Sequence, residues 1–175
     1  TEIKLFSKSC TGISHCPSSN MRLGSGIAPI RLMIDEGVNI GIGVDGSSSN
    51  DSAHMLNEVR QTMLLQRVKN GPETMTAREA LRLATRGGAE VLNRTDIGQI
   101  SPGFAADFAI FDINVIDFAG ALSDPISSLV FCGPVKTTYT IVNGEIIVDK
   151  GNFVKIDLIK AIENHNNLSK KLLNI

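Results

Sequence analysis

The segment VNIGIGVDGSSSNDSAH, residues 38–54, is apolar as far as Val44 and then sets one carboxylate, Asp45, ahead of a run of Gly and Ser. An acid at the end of an apolar strand can hold a metal ion or take a proton as a general base. It can also do no more than form a turn or cap the helix that comes next. The residues alone leave these readings open. His15 and Cys16, taken with Asp45, offer a nitrogen, a sulfur and an oxygen donor, all of which zinc accepts. Neighbouring residues on a strand face opposite ways, however, which argues against His15 and Cys16 sharing one ion. His54 and His165 read as surface or packing residues. The Gly-rich stretches GSGIAP and VDGSSS match neither the phosphate-cradling loop nor the dinucleotide fingerprint, and no GxSxG nucleophile elbow is present.

Positioning Asp45 requires a strand before it and helices around it. ISHCPSSN reads as a strand with a loop, and APIRLMIDEG as a helix closed by Gly37. VNIGIGV is then a second strand whose Gly41 and Gly43 imply a close neighbour. Strand, helix, strand is the signature of a parallel sheet buried on both faces, and ligands gather at the carboxyl ends of such strands. A longer helix is expected from about Ser52 to Asn70, with Leu56, Val59, Met63 and Leu64 on its apolar stripe. Thr76 and Glu79 form a capping box that opens the next helical stretch, which Gly87-Gly88 is expected to divide into two short helices ending near Leu92. From Ile97 the texture changes to short strands: DFAIFD, SLVFC, TTYTIV and EIIVD. The last two are joined by a hairpin at Asn143-Gly144. Asp157–Leu173 reads as a closing amphipathic helix.

Composition narrows the functions. Of the 175 residues, 42% are hydrophobic and 20% charged, as in an ordinary globular chain. Seventeen basic against 18 acidic side chains give no attraction for phosphate backbones, and one Tyr with no Trp gives no base-stacking surface, so nucleic acid is not an expected partner. No apolar run approaches the ~20 residues of a membrane span. Three cysteines without a CxxC pair fit reduced thiols, and a cytoplasmic location is expected.

Three segments together carry a family resemblance. HCPSSNMRLGSGIAP from His15, GVDGSSSNDSAHMLNEVRQTMLLQR from Gly43, and ALRLATRGGAEVL followed by IGQISPGFAADFAIFD resemble the C-terminal portion of the amidohydrolase superfamily. Within it they are most similar to the metal-dependent deaminases and chlorohydrolases of purine-like and triazine rings. The resemblance implies an α/β fold. Residues 1–94 would be the C-terminal part of a TIM (β/α)8 barrel, strands seven and eight with their helices, and residues 95–175 a β-sandwich portion with a closing helix. It implies one divalent metal, zinc first and iron second, with Asp45 as metal ligand and catalytic proton acceptor. The loop Gly46 to Asn50 would line the substrate pocket, with Ser49 the residue singled out in it and His15 a weaker substrate contact. The substrate would be a small heterocycle that loses an exocyclic amine to water. A homo-oligomer is expected, because two barrel strands alone leave sheet edges uncovered.

Members of this family also use an HxH pair, a further His, and a Glu and His for proton transfer, none of which this sequence contains in matching positions. The chain is therefore expected to be a C-terminal fragment, inactive in isolation. A non-catalytic binding or scaffolding module and a complete small α/β protein are the rival readings.

Overall fold

The structure, a computed structural model, describes residues 2–133 and 135–174. These fall into two compact units, one within Thr1–Phe104 and Ile113–Val135, the other within Ala105–Asp112 and Lys136–Ile175. The division differs from the expected break at residue 94. The chain contributes one strand to the second unit, then returns to pack a helix on the first before leaving again.

In the first unit, α1 (Glu2–Lys8) precedes β1 (Ile13–His15), α2 (Pro17–Arg22), α3 (Ile30–Asp35) and β2 (Ile40–Ile42). β1 and β2 pair in parallel, with Ile13 opposite Ile40 and His15 opposite Ile42. The expected strand–helix–strand unit is present, with α2 as an additional helix that starts at Pro17, whose missing N–H costs nothing in a first turn. Gly37 ends α3 as expected. Its N–H donates to the Ile34 carbonyl at 3.0 Å and the Val38 N–H to the Met33 carbonyl at 2.9 Å, a Schellman closure with Gly37 at φ 75°.

α4 (Met55–Asn70) starts three residues later than expected, after His54. α5 (Ala77–Arg82) carries the capping box: the Thr76 hydroxyl accepts from the Glu79 N–H while the Glu79 carboxylate accepts from the Thr76 N–H. Gly87-Gly88 does not divide the helix. A π-helical turn, Leu83–Gly87, runs directly into α6 (Gly88–Val91) with helical backbone angles at both glycines. The segment SLVFC, expected as a strand, lies instead in and just after a helix. Asp124 caps it by accepting from the Ser127 N–H, and Pro125 opens its first turn. Val130 from that segment joins Ile30, Val38, Ile40, Ile42, Val59, Met63, Met75, Ala77 and Ala80 in the core.

The second unit is a four-stranded antiparallel sheet in the order β3 (Phe108–Ile110), β4 (Tyr139–Val142), β5 (Glu145–Asp149), β6 (Asn152–Phe153). The helix on the first unit, Pro125–Phe131, is α7, lying between β3 and β4 in sequence. Asn143 and Gly144 make the β4–β5 turn with φ of 49° and 82°, both positive as a type I′ hairpin requires. α8 (Leu158–Leu173) forms, capped by Asp157, but none of its residues is buried. Among the described residues no helix is long and apolar enough to cross a membrane.

Gly41, in β2, and Gly43, just after it, have the close neighbours their sequence implied: a Cβ on Gly43 would overlap the Ser14 hydroxyl oxygen. A Cβ on Gly41 would sit 3.1 Å from the Gly88 Cα, and a Cβ on Gly87 would overlap the Ile40 carbonyl oxygen. The next residue, Gly88, has open space where its own Cβ would lie. Adjacent glycines therefore have opposite expected responses. Gly87→Ala is expected to destabilise by about 3 kcal/mol, because rigid backbone blocks the added carbon. Gly88→Ala is expected to change stability by less than about 1 kcal/mol, on the stabilising side, as alanine suits a helix better than glycine. Urea unfolding of the two variants checks both.

Candidate functional site

β1 and β2 end side by side, with the Gly43 N–H donating to the His15 carbonyl at 2.9 Å. The loops after the two strands therefore leave from one edge. The second loop turns at Asp45, whose φ of 63° lies in the left-handed region that Asp tolerates better than most residues. Both the Ser49 and the Asn50 N–H donate to the Gly46 carbonyl at 3.1 Å, closing a tight turn. Asp45 caps no helix: the residue before α4 is His54, which makes no side-chain cap.

The Asp45 carboxylate is exposed. Its Oδ1 accepts from the Gly46 N–H at 2.8 Å, and its Oδ2 accepts from the Ser19 hydroxyl at 2.7 Å. Ser19 and Ser49 hydroxyls lie 2.8 Å apart, while Ser49 is 3.5 Å from Oδ2. One hydroxyl carries one proton, so Ser19 cannot donate both ways. The shorter contact to the anion takes the Ser19 proton, and Ser49 then donates to Ser19. The Ser19 hydroxyl and the Gly46 N–H together hold the Asp45 carboxyl below the usual carboxylate range, with slight desolvation opposing them. Asp45 is ionised at neutral pH and keeps free lone pairs on both oxygens.

The sequence candidates are only partly brought together. Asp45 and Ser49 share the Ser19 hydroxyl. His15 is buried, and its Nε2 has no partner among the described residues. Burial lowers its pKa to about 4, with Glu58 pulling the other way, so the imidazole is neutral. Burial raises the Cys16 thiol above its usual value, so it too is neutral at pH 7. Among the described residues no three His, Cys, Asp or Glu side chains gather where they could hold one metal ion, and the set His15, Cys16, Asp45 does not form.

Ser19 and Glu58, outside the sequence candidates, and Asn50, the last residue of the expected pocket loop, complete the site. Ser19, from α2, is fully buried and holds Asp45. Asn50 uses its whole amide: Nδ2 donates to the Val44 carbonyl at 2.9 Å and to Glu58 Oε1 at 3.0 Å, while Oδ1 accepts from the Ala53 N–H at 3.2 Å and the Ser52 hydroxyl at 3.3 Å. Glu58, with no exposed surface, also accepts from the Ser18 N–H at 3.0 Å through Oε2. A sequence signal for this set was available in the paired Ser-Ser-Asn triplets at 18–20 and 48–50, one in α2 and one in the loop after β2.

A model described as the amidohydrolase family matches residues 1–147. The chain is 42% identical over 172 residues to an 8-oxoguanine deaminase from Pseudomonas aeruginosa, covering 98% of this chain and 38% of that protein. It is 39% identical over 153 residues to a hydroxydechloroatrazine ethylaminohydrolase from a Pseudomonas species, covering 84% of this chain and 31% of that one. Among solved structures, atrazine chlorohydrolase TrzN from Arthrobacter aurescens TC1, complexed with zinc, superimposes with a TM-score of 0.89 at 37% identity, over 95% of this chain and 38% of its own. The chain thus spans well under half the length of each.

The Asp45 geometry can be checked directly. Ser19→Ala removes the main group holding the carboxyl pKa down and is expected to raise it toward the ordinary aspartate value. A carbonyl-carbon NMR titration without added metal reads the shift. An unchanged midpoint would mean the Gly46 N–H and the Ser49 hydroxyl set it without Ser19.

Proposed function

The chain belongs to the amidohydrolase family, and from that membership we propose that it carries one arm of a metal-dependent site that hydrolyses an exocyclic C–N bond on a purine-like or triazine ring. The observation that supports this most is Asp45: an exposed, ionised carboxylate in the loop just after a parallel strand, held by a backbone N–H and a buried hydroxyl. In this reading β1 and β2 are the seventh and eighth strands of the family's barrel, within residues 1–94. Ala105–Asp112 and Lys136–Ile175 then contribute the β-sandwich portion and its closing helix, while the stretch that carries α7 stays with the barrel part.

The donor set fits a single ligand position. Asp45 supplies an oxygen with free lone pairs, and the remaining donors would come from residues beyond these 175. Bound there, a divalent ion such as zinc supplies a Lewis-acidic centre able to bring the pKa of water from ~16 toward ~7. The rest falls to side chains of this chain. Asp45 takes a proton during attack on the ring carbon and returns it to the departing amine. Ser19 keeps that carboxylate ionised and fixes its plane through Oδ2. Ser49 backs the pocket wall, with its hydroxyl tied to Ser19, and His15 lies behind it as a buried, neutral imidazole whose Nε2 has no partner among the described residues.

The isolated 175-residue chain is proposed to hold zinc weakly and to turn over no substrate, since one carboxylate does not make a tetrahedral site. A cytoplasmic, homo-oligomeric enzyme acting on a small heterocycle completes the proposal.

The test uses the protein as its gene encodes it, with zinc content by mass spectrometry and ammonia or amine release from 8-oxoguanine, guanine and aminotriazines. Stoichiometric zinc and release from at least one ring are expected. Asp45→Asn is expected to lower kcat/KM roughly a hundred- to ten-thousand-fold. Turnover of no ring, or an Asp45→Asn variant as active as wild type, would end this reading in favour of a non-catalytic module.

A further inference from the structure

Glu58 lies on α4, yet both segments that hold Asp45, the first turn of α2 and the loop after β2, are tied to it. One arm runs from Oε2 to the Ser18 N–H at 3.0 Å, and the next residue along, Ser19, places its hydroxyl 2.7 Å from Asp45 Oδ2. The other runs from Oε1 to Asn50 Nδ2 at 3.0 Å, and the residue just before Asn50, Ser49, packs its hydroxyl 2.8 Å from that of Ser19. The two arms start on the two oxygens of one buried carboxyl group and meet at Asp45.

Several features make this arrangement stiff. Glu58, Ser19 and Asn50 are 0%, 0% and 4% exposed, so no water competes for their bonds. Asn50 has no spare hydrogen-bonding capacity on its amide, and its carbonyl side fixes Ala53, a non-glycine residue at φ 44°. A left-handed alanine persists only where its surroundings over-determine it. Arg22, at the end of α2, and Asp51 add an exposed ion pair between the same two segments, which contributes little by itself.

We infer that Glu58 is the positioning residue of this site, setting the placement of the Asp45 carboxylate through Ser18–Ser19 on one side and Asn50–Ser49 on the other. As regards the metal, the inference rests on the function proposed above. As regards the loop, it stands on the geometry alone. Glu58 touches neither substrate nor metal. Partners that orient a ligand in this indirect way are worth 10–100-fold in metal affinity or activity.

Glu58→Gln keeps the shape and turns one acceptor into a donor, so either Ser18 or Asn50 loses its partner. In the gene-encoded protein freed of metal, amide hydrogen exchange at Ser49, Asn50 and Ala53 is expected to quicken about tenfold or more, while Met63 in mid-α4 is unchanged. The zinc dissociation constant, from chelator competition, is expected to rise roughly 10–100-fold. Glu58→Asp, which keeps the charge but withdraws it by one methylene, is expected to give the same pattern and serves if the glutamine variant does not fold. A merely structural Glu58 would quicken exchange in α4 and the loop alike. That result, unchanged loop exchange, or a loosened loop with wild-type zinc affinity would each overturn the inference. A wild-type protein that takes up no zinc would instead end the functional reading, with the exchange comparison still deciding whether Glu58 holds the loop.

Discussion

The backbone of β2 runs against the backbone of the π-helical turn with no side chain between them, and the placement of the site depends on that approach. Gly41 and Gly87 make it by having no Cβ: one would crowd Gly88 and the other would overlap the Ile40 carbonyl. A strand so close to a helix cannot slide without driving atoms together, because interiors are packed to crystal-like density. β1 is then placed by its ladder to β2, and the carboxyl ends of both strands are brought to one edge. The π turn belongs to the same constraint. A widened turn inside an otherwise α-helical run shifts the register of the residues after it, and such turns are often found near functional sites.

α4 contributes to the fold in two chemically different ways. Leu56, Val59 and Met63 bury an apolar stripe, while Glu58, Thr62 and Gln66 bury a polar one beside it. At ~100° per residue the two together span an arc of about 160°. The polar stripe has a specific use. Neither α2 nor α3 has a side-chain cap of its own. Glu58 accepts from the Ser18 N–H in the first turn of α2, and two turns along, Gln66 accepts from the Arg31 N–H in the first turn of α3 at 3.2 Å. Orphaned first-turn donors are costly when buried, so one long helix satisfies the starts of two short ones.

The same economy links stability to chemistry. The buried groups that satisfy helix α2 and the β2–α4 loop also hold the outward-facing Asp45 carboxylate. An ionised, exposed Asp45 on a left-handed backbone would be free to swing in an isolated loop. Here Gly46 and Ser19 each hold one of its oxygens. The zinc-bearing triazine hydrolase that shares this fold, and the deaminases that share its sequence, are each more than twice as long as this chain.

Local rules carried much of this protein in legible form. Gly37, the Thr76–Glu79 box and the Asn143–Gly144 turn each act through neighbours a few residues away, so each read correctly from the sequence. Asp45 was visible as the acid that ends an apolar strand. Its family resemblance rested on motifs that are local too. What depended on distant partners was misread or missed. SLVFC has the β-rich look of a strand, but Asp124 and Pro125 start a helix that α4 and α5 receive. Gly87-Gly88 looked like a break and proved to be a contact. Glu58, Thr62 and Gln66, spaced as a solvent face is spaced, were buried by the elements that came to lie over them. A sequence determines which faces a helix has; only the tertiary structure decides which polar face meets water and which meets the unpaired N–H groups of another chain segment. Whether Glu58 is a surface charge or the anchor of the site turns on a residue 40 positions away.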